Sequence, residues 1–217
     1  MSFQDIFEIS QSIGVNDHRT VGQQVSRSGQ VTVSEYLTGV PYVFTVKPHN
    51  FLYYPQARQI LSDLRLCDRS LIDTIQFQTN NLKWYVAYQG QFLNPSNLKV
   101  ASIPAANSQT IILQNLPTVA STTLAFKTGD FIQFGGYVYN VTADVLRGSG
   151  TTISVNVHRP IVNTYITVNN YLDGVGINIM FNMIMESYPT YTLTPMTNGA
   201  FIQWDGDFVF REALGQF

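Results

Sequence analysis

Charge is what this chain has least of. Asp, Glu, Lys and Arg make up 12% of its 217 residues, against roughly a quarter in an average soluble domain. The formal net charge is −2 with both signs interspersed, which excludes the basic stripe of a nucleic-acid or anionic-membrane surface. The single bias is 74–129, which carries Lys83, Lys99 and Lys127 and no carboxylate; it reads as a solvated face. Cysteine occurs once, at Cys67, so no intrachain disulfide can form. The thiol reads as a small buried hydrophobe in a reducing compartment. Histidine is scarce too: His18, His49 and His158 stand far apart, none with a second His or Cys at metal-ligand spacing. No run of about 18 apolar residues occurs, which excludes a transmembrane helix. Met1 to Val15 has early acids and no unbroken apolar stretch, so no secretory signal is expected. Charge runs, low-complexity linkers and solenoid periods are absent as well.

What replaces charge is neutral polarity: Ser, Thr, Asn and Gln account for 67 residues. Such a surface is either neutral and solvated or covered by neighbouring molecules, and charge depletion at interface cores favours the second.

Period-two alternation dominates the rest. In 124–160 it writes three strands, 131–134, 137–142 and 151–157, with Gly135-Gly136 as a two-residue hairpin turn and Gly148-Ser149-Gly150 as a second reversal. Ile153, Val155 and Val157 share a face, and Pro160 ends the strand. Upstream, 2–13 fits a short amphipathic helix or an arm laid on a partner. The segment 19–33 reads as a hairpin broken at Ser28-Gly29, and 40–46 as a strand that Pro48 ends.

Pro55 opens the one amphipathic helix, near 55–71, with Ala57, Ile60, Leu61, Leu64, Cys67 and Leu71 on one stripe. Strands are then read at 75–77 and 84–88 around an Asn80-Asn81 turn, at 98–103 and 110–113, at 161–169 and 177–187, and in a closing hairpin, 200–210, turning at Asp205-Gly206. The expected class is mainly β with a minor helical part: β-barrel or sandwich lobes of antiparallel strands. A soft boundary near Leu116 to Ser121 divides an N-terminal lobe, 1–118, from an all-β lobe, 119–217, unless the two interleave as one domain.

Catalytic constellations are scarce. GxSxG, P-loop and GxGxxG motifs do not occur. Asp205-Gly206-Asp207 could hold a hard cation, but a hairpin turn needs the same glycine. Glu186 and Glu212 would serve a hydrolase only if folding brought them together. Gly148-Ser149-Gly150 lacks the helix N-terminus that an anion cradle uses. Tyr53, Tyr54, Trp84, Tyr85, Tyr88, Tyr137 and Tyr139 could bind sugars, although on strands such residues are mostly cross-strand packing. No catalytic, cofactor-binding or metal-ligating residue is assigned, and the chain is not expected to be an enzyme.

The cadence TGDFIQFGGYVYNVT…GSGTTISVNVHRP in 128–160 resembles the β-barrel of tail and baseplate proteins of tailed bacteriophages. RTVGQQVSRSGQVTVSEY in 19–36 is similar to their opening hairpin, 40–71 to the strand and helix that follow, and 188–214, ending GDFVFREAL, to their closing hairpin. The resemblance touches most of the chain and brings no catalytic residues. It implies a virion structural protein assembled in the host bacterial cytoplasm, packing with copies of itself in a ring, commonly six-fold, at the junction of tail tube and baseplate or tail tip. Its partners would be other tail proteins, with at most nonspecific contact with passing DNA and none with membrane. The alternative is a carbohydrate- or receptor-binding β module; a hydrolase with acids distant in sequence comes third.

Overall fold

A computed structural model describes residues 3–18, 21–35, 40–49, 52–67, 71–79, 82–103, 108–162, 169–196 and 199–214, giving the backbone alone for 21–23, 31–35, 56 and 67. The protein is mainly β, with antiparallel strands and a minor helical part. The chain divides into two compact units made of interleaved segments. The first comprises Met1–Asp17, Pro41–Ile75 and Phe181–Ala213, and the second comprises His18–Val40, Gln76–Met180 and Leu214–Phe217. The segment 116–121, where composition and pattern place a soft boundary, lies inside the second unit.

The first unit is built on a five-stranded sheet in the order Ser10–Asn16, Val43–Pro48, Phe208–Glu212, Phe181–Ser187, Asp73–Ile75. Alternation puts Phe44, Val46, Phe208, Phe210, Met183 and Met185 in the core, and all are buried. The helix Phe3–Glu8 supplies the facing layer, which resolves the open reading of 2–13: a short helix, followed at once by a strand. Phe3 lies 4.9 Å from Phe210, and Phe7 lies 5.7 Å from Phe44 and 5.2 Å from Phe210, ring centre to ring centre. These tilted and edge-on aromatic contacts add about 0.5–1.5 kcal/mol each to simple burial.

The second helix, Tyr54–Cys67, starts with Pro55 in its first turn, as its sequence requires. Ala57, Leu61 and Leu64 are buried, and the helix packs on the strand Gly199–Trp204. Leu71 falls beyond the helix and is 52% exposed, so it does not extend the stripe. The Cys67 side chain and residues 68–70 lie outside the described residues.

The closing hairpin is in a different place from the one the sequence suggests. Gly199–Trp204 pairs with Tyr191–Met196 and Leu52–Tyr53 in a three-stranded sheet, while Phe208–Glu212 belongs to the five-stranded one. Asp205-Gly206-Asp207 is therefore a corner between sheets. Alternation cannot distinguish a hairpin from a corner, because the turn residues serve both.

In the second unit, Phe131–Phe134 and Tyr137–Asn140 form the expected hairpin, with Phe134 opposite Tyr137. Gly135 and Gly136 both have positive φ, 60° and 81°, the conformation a type I′ turn demands. Replacing Gly136 with Val should lower stability by at least about 1–2 kcal/mol, the left-handed penalty of a residue with a Cβ. Urea unfolding measures this, and an unchanged midpoint would count against the hairpin. Thr152–Asn156 alternates exposed and buried as its sequence requires, and pairs with Thr110–Gln114. Lys99–Ser102 completes that sheet. Ile132, Phe134, Tyr139, Ile111, Leu113 and Val155 are among the residues of one shared core.

Two readings change here. Residues 84–88 are not a strand: Lys83–Val86 is a single helical turn, and the proposed Asn80-Asn81 turn lies outside the described residues. The segment 177–187 is a 3-10 turn, Gly176–Asn178, followed by the strand Phe181–Ser187. Gly176 does more than interrupt a pattern. It has φ 60°, and a Cβ there would lie 2.8 Å from the Tyr88 backbone nitrogen, so no other residue fits without displacement. Residues 163–168 of the strand expected at 161–169 lie outside the described residues.

Candidate functional surface

The polar residues that sequence singles out are mostly engaged in holding the fold. His158 accepts a hydrogen bond at Nδ1 from the Asn140 backbone N–H at 3.0 Å, and the His158 backbone N–H donates to the Asn140 carbonyl at 3.0 Å. This reciprocal pair joins the ends of two strands. His18 and His49 are exposed, and among the described residues no three His, Cys, Asp or Glu side chains gather as a metal site.

Glu186 and Glu212 face different environments. Glu186 receives two hydrogen bonds from Arg211, at 3.0 and 3.1 Å, on an exposed surface. Glu212 is buried and accepts the Tyr42 backbone N–H at 3.1 Å. Asp205 Oδ2 accepts long bonds, 3.4 Å each, from the hydroxyls of Thr190 and Thr192.

The Gly148-Ser149-Gly150 loop has the reverse polarity of an anion cradle. Arg147 Nη1 donates to the carbonyls of Gly148, at 2.9 Å, and Gly150, at 2.6 Å, while its Nε donates to Pro117 at 3.2 Å. Carbonyl oxygens thus converge on a cation, whereas phosphate binding needs converging N–H groups.

Of the seven aromatics that could bind sugars, Trp84 is 70% exposed. Tyr88 is tied down: its hydroxyl donates to the Ala125 carbonyl and accepts the Phe92 N–H at 3.2 Å. Burial pushes its pKa up to about 12. Tyr137 and Tyr139 are buried.

Two structurally decisive side chains escape sequence reasoning. Arg159 is fully buried. Its guanidinium donates to the carbonyls of Val40 and, at 2.7 Å, Val138, and lies 5.1 Å from the centre of the Tyr139 ring. A signal existed: 159 continues the inward parity of Ile153, Val155 and Val157. Asp130, also buried, accepts the Gln89 N–H at 2.7 Å on Oδ1 and the Lys127 N–H at 2.8 Å on Oδ2. Desolvation nonetheless raises its pKa, against the opposing pull of hydrogen bonds from the N–H groups of Lys127, Gln89 and Gly90 and of the Lys127 charge.

With these residues committed to structure, the features open to partners are sheet edges. Among the described residues, Ser10–Asn16 is a terminal strand of the five-stranded sheet, seven residues without charge or proline, and mostly exposed. Soluble monomers usually blunt such an edge with Lys, Pro or brevity. Other edges in the chain do carry those devices: Asp73–Ile75 is three residues long and Tyr191–Met196 contains Pro195. Val21–Val25 and Val31–Glu35 form a two-stranded ribbon that joins no larger sheet among the described residues, and 24–30 are all exposed, Val25 by 64%. A lone two-stranded ribbon is marginal in water and gains stability from a surface to lie on.

No protein-family model matches the chain, and no curated protein sequence matches it. Among the described residues no helix is long and apolar enough to cross a membrane.

Proposed function

We propose that this chain is a structural component of a bacteriophage virion tail, acting by protein–protein assembly in a ring at the junction of tail tube and baseplate or tail tip. The observation that supports it best is the Ser10–Asn16 strand, seven uncharged residues that form the margin of a five-stranded sheet among the described residues. An edge of this kind is a hazard in an isolated monomer and an asset in a ring, where each subunit can complete the sheet of the next. The ribbon, separate among the described residues, and the low charge point the same way, and the resemblance of 19–36, 40–71, 128–160 and 188–214 to tail proteins supplies the class.

The test is assembly. The purified chain should sediment as an oligomer, or enter tail particles when co-expressed with neighbouring tail proteins. Ser12→Lys, at an exposed edge position, should reduce assembly at least tenfold while leaving the thermal midpoint nearly unchanged, because an exposed substitution costs about 0.5 kcal/mol or less. A wild-type chain that remains monomeric at every concentration and never joins tail particles would overturn the proposal. A carbohydrate-binding module, the second reading, rests on the exposure of Trp84 and requires glycan-array binding that Trp84→Ala removes.

A further inference from the structure

The second unit carries a recess of about 390 Å³ between the segments 91–98 and 115–119, a size within the range of ordinary ligand pockets. Its chemistry is narrow. Primary amides from Gln91, Asn94, Asn97 and Asn115 line it together with Thr118 and aliphatic side chains, and its lining contains neither a charged residue nor an aromatic ring. At its margin Leu93 is 97% exposed and Val119 43% exposed, a large apolar surface to leave in water.

The walls are fixed before any ligand arrives. Asn115 holds φ 63°, sparsely populated for a residue with a side chain, and its Nδ2 donates to the Asn97 carbonyl at 2.8 Å. The Gln91 backbone N–H donates to the Leu124 carbonyl at 2.8 Å, and the Leu124 N–H returns a bond to Gln91 Oε1 at 3.0 Å. Arg147 holds the Pro117 carbonyl from outside the lining. Meanwhile Asn94 and Asn97 are exposed, so their amides meet a ligand without losing an internal role. Preorganised walls lower the ordering cost of binding.

We infer that this recess binds an extended, uncharged peptide segment of a partner protein. The exposed amides of Asn94 and Asn97 each present a donor and an acceptor side by side, the complement of the N–H and C=O that a main chain presents, while Gln91 Oε1 and Asn115 Nδ2 are already committed to the walls. The neutral lining matches a neutral segment, because a charged side chain entering it would lose water and gain no counter-charge. Leu93 and Val119 would cover that segment's small apolar side chains. A saccharide is disfavoured because the lining offers no aromatic face for a sugar ring. The inference stands whether or not the chain belongs to a virion.

The test uses the full chain on an array of immobilised hexapeptides in uncharged, acidic and basic sets, with neutral hexasaccharides beside them. The uncharged set should be bound at least tenfold more tightly than either charged set. The double variant Asn94→Ala, Asn97→Ala and the separate variant Leu93→Asp should each weaken that binding at least tenfold, with thermal midpoints unchanged because all three positions are exposed. Equal binding of charged peptides, preference for the saccharides, insensitivity to these substitutions in folded protein, or no binding to any set up to millimolar concentration would each overturn the inference. Since Ser12→Lys assembly and peptide capture are measured separately, either can fail without the other.

Discussion

Replacing Arg159 with methionine should destabilise the chain by about 3–5 kcal/mol, from the loss of two charge-assisted hydrogen bonds in a buried site. Methionine keeps much of the side-chain stem, so little cavity forms and the cost falls on polarity. The carbonyls of Val40 and Val138 would lose the donors that Arg159 now provides, and a main-chain oxygen cannot be mutated away to match. For this reason the usual finding that buried charges can be exchanged for apolar residues at little cost does not carry over. Lysine should rescue only part of the loss, because an ammonium cannot reproduce the planar fork or its stacking on Tyr139. Urea unfolding with fluorescence detection measures both variants. An Arg159→Met midpoint equal to the wild type's would show that these carbonyls have other donors.

Asp130→Asn should cost about 1.5–3 kcal/mol at neutral pH, the worth of a charge-assisted bond. Both carboxylate oxygens now accept backbone N–H groups, and an amide must turn its NH₂ toward one of them. The pH dependence has a definite sign. The folded pKa of Asp130 is raised, mainly by desolvation, so between the ordinary carboxylate value and the raised one the folded chain binds more protons than the unfolded chain. Stability from this group is complete below the unfolded pKa and is lost as pH rises through the folded one. The stability gap between wild type and Asp130→Asn should therefore be wider at acid pH than at pH 7. A gap that narrows on acidification would mean that the backbone hydrogen bonds outweigh burial and that the pKa is depressed.

Much of the β architecture was legible from period and punctuation. Gly135-Gly136 specified a turn because few other dipeptides tolerate two positive φ values, and Pro55 marked a helix start because its missing N–H costs nothing there. What was illegible depends on distant contacts. The alternation of Trp84, Val86 and Tyr88 reads as a strand, yet a helical turn forms, with Gly176 packed against Tyr88 in a space that a Cβ would fill. Asp205-Gly206 reads as a hairpin because a turn dipeptide reports a reversal without reporting which sheet receives the next strand. Nothing in the sequence singled out Arg159 and Asp130; burial by segments far away in sequence made them structural. The candidate recess was invisible for a related reason. Its four amides come from two segments separated in the chain by the strands Lys99–Ser102 and Thr110–Gln114.

The strand order of the first unit also sets a timetable. Phe208–Glu212, which lies between Val43–Pro48 and Phe181–Ser187, is synthesised about 200 residues after Ser10–Asn16. At bacterial and eukaryotic translation speeds of roughly 5–20 residues per second, that delay lasts about ten to forty seconds. During it the nascent chain holds three of the five strands without the two between them, with Phe44 and Val46 still lacking Phe210 and Phe208. Until Phe208–Glu212 arrives these apolar side chains lack their partners, and transiently exposed surface of this kind is prone to association.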